Sequence, residues 1–197
     1  MEFLIAFDRG VFFAIDNQLL PRLGDSGWTQ IMVFFTSVGD LWELRIFLAV
    51  AVIALAVSRR LKAAIILLAV FLAAHGLNNG VKTLVARPRP HPVNAVINVP
   101  SSYSYPSGHA LESTALYVSF AFLAAPLLTR RSLRVLMIGA SLLLVFLIGV
   151  SRVYFCVHFV TDVIGGWQPA WRSPSRPHGS TNDSPRFEVQ IPWLLDR

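Results

Sequence analysis

The chain has 197 residues, of which 54% are hydrophobic and only 14% are charged, and its mean hydropathy is +0.57. Soluble domains carry about 25% charged residues, so this composition excludes a disordered chain and disfavours a soluble globular enzyme. The net charge of +6 comes from basic residues separated by apolar runs, which favours membrane topology and an anionic ligand over nucleic-acid binding. We therefore predict an all-α protein, a polytopic transmembrane bundle of about five to six membrane helices.

The first predicted element is an N-terminal amphipathic helix at residues 3–20. Apolar residues recur there at helical spacing from Phe3 to Ile15. The acidic residues Asp8 and Asp16 interrupt the apolar run that a secretory signal needs, so we do not expect such a signal. Two placements remain open for this helix: in the plane of the membrane interface, or packed against the bundle.

Longer apolar segments follow the first helix. Residues 28–38 end at Gly39-Asp40 and are too short to span a bilayer, because a spanning helix needs about 20 residues. Four later segments reach or approach that length: 41–58, 61–86, 108–128 and 133–156.

Basic connections predict the orientation of these spans. The links at 58–62 and 130–134 are short and rich in Arg and Lys. They are separated by two spans and so lie on one side, which the positive-inside rule makes cytoplasmic. The 87–107 loop and the segment near 151–158 then face the opposite, external side.

The composition changes after Trp167. Residues 168–197 hold 5 of the 12 prolines and show no helical periodicity. We predict a membrane-embedded domain at residues 1–167 and a polar, Pro-rich tail at 168–197, either disordered or an altered C-terminus.

Polar residues form a first cluster at the external end of the 61–86 span. His75, Asn78, Asn79 and Lys82 lie on one helix face, and the sequence continues to Arg89. Polar groups at membrane depth usually face a cavity or the bundle interior. Lys82 could also extend to lipid headgroups, but the neighbouring prolines stiffen the chain and hold Arg89 in place.

A second cluster, Tyr105 to His109, opens the next span. Ser107 and Gly108 at a helix start leave backbone N–H groups that can bind an anion, and His109 could donate a proton to it. The same Pro-Ser-Gly pattern is also an ordinary helix start.

The third cluster comprises Ser151, Arg152, His158 and Asp162. His158 and Asp162 are four residues apart and would share a face of a helix. A carboxylate beside an imidazole fixes its tautomer and supports its positive charge, although a buried structural pair would have the same spacing.

Together the clusters place three cations, a helix N-terminus and two histidines at one external face. Phosphate chemistry needs these groups: positive charge on the oxygens, a nucleophile and a proton donor. The clusters contain few carboxylates (Asp162 and, one turn after His109, Glu112), which argues against a two-metal site.

These motifs closely resemble those of the type-2 phosphatidic acid phosphatase superfamily. The family pattern Lys-x6-Arg-Pro, Pro-Ser-Gly-His and Ser-Arg-x5-His-x3-Asp matches Lys82 to Pro90, Pro106 to His109 and Ser151 to Asp162. All three blocks agree in order and spacing. Arg87-Pro88 repeats the Arg-Pro element, but Arg89 has the six-residue spacing from Lys82.

The resemblance implies a function and a role for each matched position. His158 would attack phosphorus to give a phosphohistidine, Asp162 would orient His158, and His109 would protonate the leaving oxygen and then activate water. The phosphate-binding residues would be Lys82, Arg89, Ser107, Gly108 and Arg152. No metal or other cofactor is implied.

The implied function is that of an integral membrane lipid phosphatase. Its partners would be membrane lipids and a lipid phosphate or diphosphate, such as undecaprenyl diphosphate, phosphatidylglycerol phosphate, phosphatidic acid or a lipid A phosphate, with no nucleic acid. We expect a bacterial inner membrane location with the site on the periplasmic or external side. The motifs specify neither the lipid nor the oligomeric state.

The resemblance is weakest after His158. Family members continue the helix that carries the nucleophile across the bilayer, whereas here Gln168-Pro169 interrupts it after about ten residues, or about 15 Å. The alternative interpretation is therefore an inactive lipid-binding membrane protein with a disrupted last helix.

Overall fold

The computed structural model describes residues 2–23 and 26–168, and all regular secondary structure in those ranges is helical. The predicted all-α class is confirmed. The chain order of the helices is α1 Glu2–Ala14, a π-turn Ile15–Leu19, α2 Leu20–Leu23, α3 Gly27–Val38, α4 Leu41–Val57, α5 Leu61–Val85, α6 Gly108–Ser113, a π-turn Thr114–Val118, α7 Ser119–Ala124, a 3-10 turn Ala125–Leu127, α8 Arg131–Tyr154 and α9 Val160–Trp167. The predicted tail, apart from Gln168, lies outside the described residues.

Three helical stretches of the described chain are long and apolar enough to cross a membrane. They are α5, the continuous stretch from α6 to the 3-10 turn (Gly108–Leu127), and α8. Helix α4 has 17 residues, which is the lower end of the spanning range. The total of five to six membrane helices stays a prediction.

The main apolar core lies between α4, α5, the turn after α6 and α8. Leu44, Leu67, Leu116 and Ile148 are its fully buried members. The outward faces of the same helices are also apolar, and Val57 is 79% exposed. A helix that is apolar on all sides suits a bundle surrounded by lipid.

The last described helix, α9, packs closely against α8. A Cβ atom at Gly149 would come within 2.2 Å of the Trp167 ring, so only glycine permits this approach. Trp167 also stacks on Phe146 and donates its Nε1–H to the carbonyl of Val145 at 3.3 Å. The eight residues of α9 are therefore firmly held by α8, although they are too few to span a bilayer.

The first helix packs against the rest of the protein, which is one of the two placements that the sequence left open, and its location in the membrane interface stays a prediction. Asp16, in the turn after α1, is 1% exposed, and its carboxylate accepts the backbone N–H groups of Val93 and Asn94 at 3.0 Å each. Phe3 and Phe13 on the other side are 79% and 57% exposed. The α1–α2 segment thus packs on the 86–107 loop while it presents an apolar face to its surroundings.

Candidate active site

A cavity of about 400 Å³ lies where α5 and α8 end and α6 begins, and the 86–107 loop covers it. The residues that line it come from all three sequence clusters. Lys82, Arg89, Arg152, His109 and His158 are brought together there. Separate stretches of residues 82–158 therefore converge on one site.

His158 lies in the turn between α8 and α9, one residue before the N-cap Phe159. The prediction that His158 and Asp162 share a helix face is therefore wrong in detail, because helix α9 begins only at Val160. At this start, Asp162 Oδ2 accepts the N–H of the N-cap residue Phe159 at 2.9 Å, which stabilises the first turn. The two side chains still meet, with His158 Nδ1 3.5 Å from Asp162 Oδ2.

The state of the His158 ring follows from its neighbours. Arg89 Nη1 lies 2.8 Å from His158 Nε2, and because a guanidinium can only donate, Nε2 is the acceptor. The ring proton then belongs on Nδ1, which faces Asp162. Burial lowers the pKa of His158 to about 3, so the imidazole is uncharged at neutral pH with a lone pair on Nε2.

Arg89 is fixed by the loop and by the turn before α9. Its Nε donates to the Ser102 carbonyl at 2.6 Å, and Nη1 donates to the Val157 carbonyl at 2.7 Å. Burial lowers the pKa of Arg89 from its usual value, but a guanidinium keeps its charge. The cation that the spacing predicted is therefore held directly beside the His158 ring.

Lys82 and Arg152 complete the positive side of the cavity. Lys82 Nζ donates to the carbonyls of Tyr103 and Pro106 at 2.6 and 2.9 Å. Arg152 Nη1 donates to Thr36 Oγ1 at 2.5 Å, while its buried Nε has no partner among the described residues. Arg152 thus keeps an unused donor.

The N-terminus of α6 lies beside these cations. Ser107 is fully buried, and its Oγ also has no partner among the described residues. Its backbone N–H donates to the Asp162 carbonyl at 3.0 Å, which ties α6 to α9. A Cβ on Gly108 would come 2.8 Å from Asn78 Nδ2, so glycine allows the helix start to approach α5. Ser107 does not line the cavity itself.

His109 has a partner that the sequence analysis missed. Its Nε2 lies 2.8 Å from Oδ1 of Asp40, whose side chain is 50% exposed. Burial opposes the effect, but the hydrogen bond from His109 holds the pKa of Asp40 below its usual value. The signal in the sequence was a lone acidic residue at a break between apolar segments, directly before α4.

Arg87, the repeated arginine of the motif, contacts a different set of groups. Nη1 lies 2.6 Å from Asp162 Oδ1, and Nη2 lies 2.8 Å from Oδ2 of the buried Asp8. Asp8 also accepts the Thr161 N–H at 3.1 Å and the Thr161 hydroxyl. Helix α1 is thereby joined to the carboxylate behind His158. In the sequence, Asp8 is visible only as a break in the apolar pattern.

Polar side chains on one face of α5 form hydrogen bonds with α6. His75 Nδ1 and Asn78 Nδ2 each lie 3.0 Å from Oε1 of Glu112. These contacts are the interhelical hydrogen bonds expected of polar groups inside a membrane bundle. His75, Asn78 and Glu112 also line the cavity.

Known proteins are similar to this chain in sequence and in fold. A family model described as the PAP2 superfamily matches residues 62–173. Phosphatidylglycerophosphatase B of Bacillus subtilis is 36% identical over 106 residues, which cover 52% of this chain and only 50% of that protein. Undecaprenyl-diphosphatase of Sulfolobus acidocaldarius is 31% identical over 167 residues, which cover 83% of this chain and 73% of that protein.

Two solved structures are similar in fold. A transmembrane PAP2 type phosphatidylglycerolphosphate phosphatase from Bacillus subtilis superposes with a TM-score of 0.74 and 25% identity, over 85% of this chain and 80% of that one. Aquifex aeolicus LpxE superposes with a TM-score of 0.57 and 24% identity, over 82% and 88% of the two chains. The second likeness concerns the fold only.

Proposed function

The chain belongs to the PAP2 superfamily, and we propose that it hydrolyses a membrane lipid phosphate or diphosphate through a phosphohistidine intermediate. Its relatives support a lipid phosphatase role, and two of them are named for phosphatidylglycerophosphate and undecaprenyl diphosphate. The observation that carries the proposed mechanism is the uncharged His158 ring, whose Nε2 lies 2.8 Å from Arg89 Nη1.

In the first step, Arg89 Nη1 transfers its hydrogen bond from His158 Nε2 to a phosphoryl oxygen, and the freed Nε2 lone pair attacks phosphorus. An Nε2–P bond forms while the bond from phosphorus to the lipid oxygen breaks, and His109 gives its proton to that oxygen. The ring becomes positively charged, and Asp162 beside Nδ1 stabilises this charge. This is nucleophilic catalysis assisted by a general acid.

In the second step, water attacks the phosphohistidine. His109 takes a proton from the water, the new P–O bond forms, and the Nε2–P bond breaks to return the lone pair to His158. The products are inorganic phosphate and the lipid alcohol or, from a diphosphate, the lipid monophosphate.

Lys82, Arg89 and Arg152 stabilise the charge on the phosphoryl oxygens in both steps. Fixed cations in a site with little water stabilise a transition state strongly, because they need no reorganisation. The planar guanidinium groups of Arg89 and Arg152 can each donate paired hydrogen bonds to phosphate oxygens. The proposed mechanism therefore uses no metal ion.

We place the reaction at the external face of a bacterial inner membrane. The basic links at 58–62 and 130–134 lie at the opposite ends of α5 and α8 from the cavity. The positive-inside rule assigns those links to the cytoplasm, so the cavity would open on the periplasmic or external side.

The test is phosphate release by purified protein from a panel of lipid phosphates in detergent micelles, with and without EDTA. We expect release that persists in EDTA and is lost in the His158→Ala variant. Strict dependence on added metal, or full activity in His158→Ala, would contradict the proposed mechanism.

A short α9 favours a second candidate, an inactive lipid-binding protein. Its eight residues are too few to span a bilayer. Replacing the residues after Trp167 with an apolar helix long enough to span the bilayer would distinguish an inactive lipid-binding protein from an active enzyme. A large gain in phosphate release and thermal stability would support the inactive protein, whereas wild-type activity without the replacement supports the enzyme.

A further inference from the structure

A second cavity adjoins the first one, around His158, at the side chain of Arg89. Its volume is about 270 Å³, and it lies between α1, the start of the 86–107 loop and Phe159 in the turn before α9. Among the described lining residues, Arg89 is the one that both cavities share. Since a water molecule takes up about 30 Å³ in the liquid, the second cavity has room for a hydrated group of the size of phosphate.

Three arginines make the second cavity cationic, and we call it the arginine pocket. Arg9 comes from α1, whereas Arg87 and Arg89 come from the loop. Asp8 is the one acidic residue among the described lining residues, so that the lining has a formal charge of +2. A cleft lined mainly by one sign of charge concentrates ions of the opposite sign.

The carboxylate of Asp8 is already used within the protein. Asp8 is buried, and its Oδ1 accepts the Thr161 N–H at 3.1 Å. Its Oδ2 accepts Arg87 Nη2 at 2.8 Å and the Thr161 hydroxyl. Asp162, which does not line the pocket, accepts Arg87 Nη1 at 2.6 Å. Even with both carboxylates counted, the three arginines leave an excess of positive charge.

The arginines keep hydrogen-bond donors that no described residue uses. Arg9 is exposed, and its guanidinium has no partner within the described part of the chain. Because each Nη atom carries two hydrogens, Nη2 of Arg87 keeps one after its bond to Asp8. Nη2 of Arg89 likewise keeps one after its bond to Ser102 Oγ at 3.1 Å. A ligand that fills the pocket must therefore supply acceptors and negative charge.

One side of the arginine pocket is apolar. Ile5 of α1 lines it and is 43% exposed. The guanidinium of Arg87 lies over the Phe159 ring, 4.3 Å from its centre, which holds the arginine in place. Phe3 and Phe7 continue the exposed apolar side of α1. A phosphate carried by a lipid would bind the arginines while its chains lie along α1.

We propose that the arginine pocket is a second phosphate-binding site, separate from the site at His158, and that it holds the headgroup phosphate of an anionic phospholipid. The phosphate oxygens accept hydrogen bonds from Arg9, Arg87 and Arg89. A free phosphate ion has the same acceptors, but it lacks the apolar chains that match Ile5. The inference goes beyond the proposed function, because this lipid is bound without being cleaved.

The test counts the lipids that remain bound to the purified full chain in native mass spectrometry. Phosphatidylmethanol, an anionic phosphodiester, is compared with phosphatidylcholine of the same chains, whose choline cation the arginines repel. We expect the wild type to retain phosphatidylmethanol in preference. Arg9→Gln should weaken this binding by about tenfold, as for the loss of a hydrogen bond between charged groups.

Two further variants locate the bound lipid. Arg22→Gln removes an exposed arginine of α2 that does not line the pocket, and it should bind phosphatidylmethanol as the wild type does. Arg152→Gln removes a cation of the first cavity only, so the binding that depends on Arg9 should persist in it.

Inorganic phosphate, added as a competitor, separates the two sources of the phosphate group. Retention of phosphatidylmethanol in excess phosphate would support the phospholipid as the ligand. Binding of inorganic phosphate that depends on Arg9, without any preference for phosphatidylmethanol, would overturn the phospholipid as the ligand. Equal binding of phosphatidylmethanol by the wild type and Arg9→Gln would overturn the site itself.

Discussion

The two histidines of the cavity are held by carboxylates in contrasting surroundings. His158 and Asp162 form a pair whose side chains are 2% and 0% exposed, whereas Asp40, the partner of His109, is 50% exposed. A nucleophile needs a fixed ring and a fixed tautomer, which burial provides. A group that gives and takes protons must also exchange them with water, which an exposed partner permits.

The two carboxylates also differ in the support behind them. Asp162 accepts hydrogen bonds from the Ser104 hydroxyl, the Phe159 N–H and Arg87. Asp40 has its bond to His109 and the more distant charge of Arg152. The proposed nucleophile is therefore supported by three parts of the fold, and the proposed acid by one partner.

The largest expected effect comes from breaking the buried pair. Asp162→Asn would present an amide where the carboxylate stabilises the positive ring and fixes its tautomer. We expect kcat to fall by about 10³ to 10⁴-fold, as for the equivalent change in other histidine–carboxylate pairs. A fall below tenfold, measured on folded protein, would contradict the role of Asp162.

A smaller effect is expected from the exposed pair. Asp40→Asn would leave the protonated form of His109 without its carboxylate, so kcat should fall by about 10 to 100-fold. A fall of less than about threefold, measured on folded protein, would show that Asp40 is not coupled to the proton transfer.

A third experiment tests whether α1 supports the buried pair. Asp8→Asn removes the charge that holds Arg87 beside Asp162 and should lower kcat by roughly tenfold with little change in KM. Asp16→Asn is the matched control, because Asp16 is equally buried but binds the 86–107 loop. If both variants lower kcat equally, α1 acts through general stability.

The smallest effect concerns stability against acid. His158 has a pKa of about 3 in the folded protein and about 6.5 when unfolded. As pH falls from 6.5 towards 3, the unfolded chain binds a proton that the folded chain does not, so stability decreases. The loss of Tm between pH 7 and pH 4 should be smaller in His158→Gln than in the wild type, and equal losses would contradict the assignment.

The sequence predicted the motif residues of the site well, but it did not predict the contacts of the carboxylates Asp40 and Asp8. Lys82, Arg89 and His158 follow from fixed spacings within motifs, and the structure brings these residues together. Asp40 and Asp8 carry no such spacing. Asp8 meets Thr161 across 153 positions of sequence, and such a contact depends on how α1 packs after the bundle has formed.

Helix boundaries near the site show a related limit. A spacing of four residues predicts one helical face for His158 and Asp162. The chain instead turns at Phe155–Phe159, and Asp162 Oδ2 accepts the N–H of the N-cap residue Phe159. Whether a residue caps a helix or lies inside it depends on local hydrogen bonds, which residue spacing does not reveal.

The contact between Asp8 and Thr161 also bears on how the protein is made. During synthesis, α1 reaches the membrane long before α9. The carboxylate of Asp8 therefore lacks its partner Thr161 while the intervening helices insert. A nascent chain that lacks α9 has neither Asp162 nor Thr161, so that of these partners of Arg87 only Asp8 is present. The proposed site would therefore be complete only when these two distant segments have met.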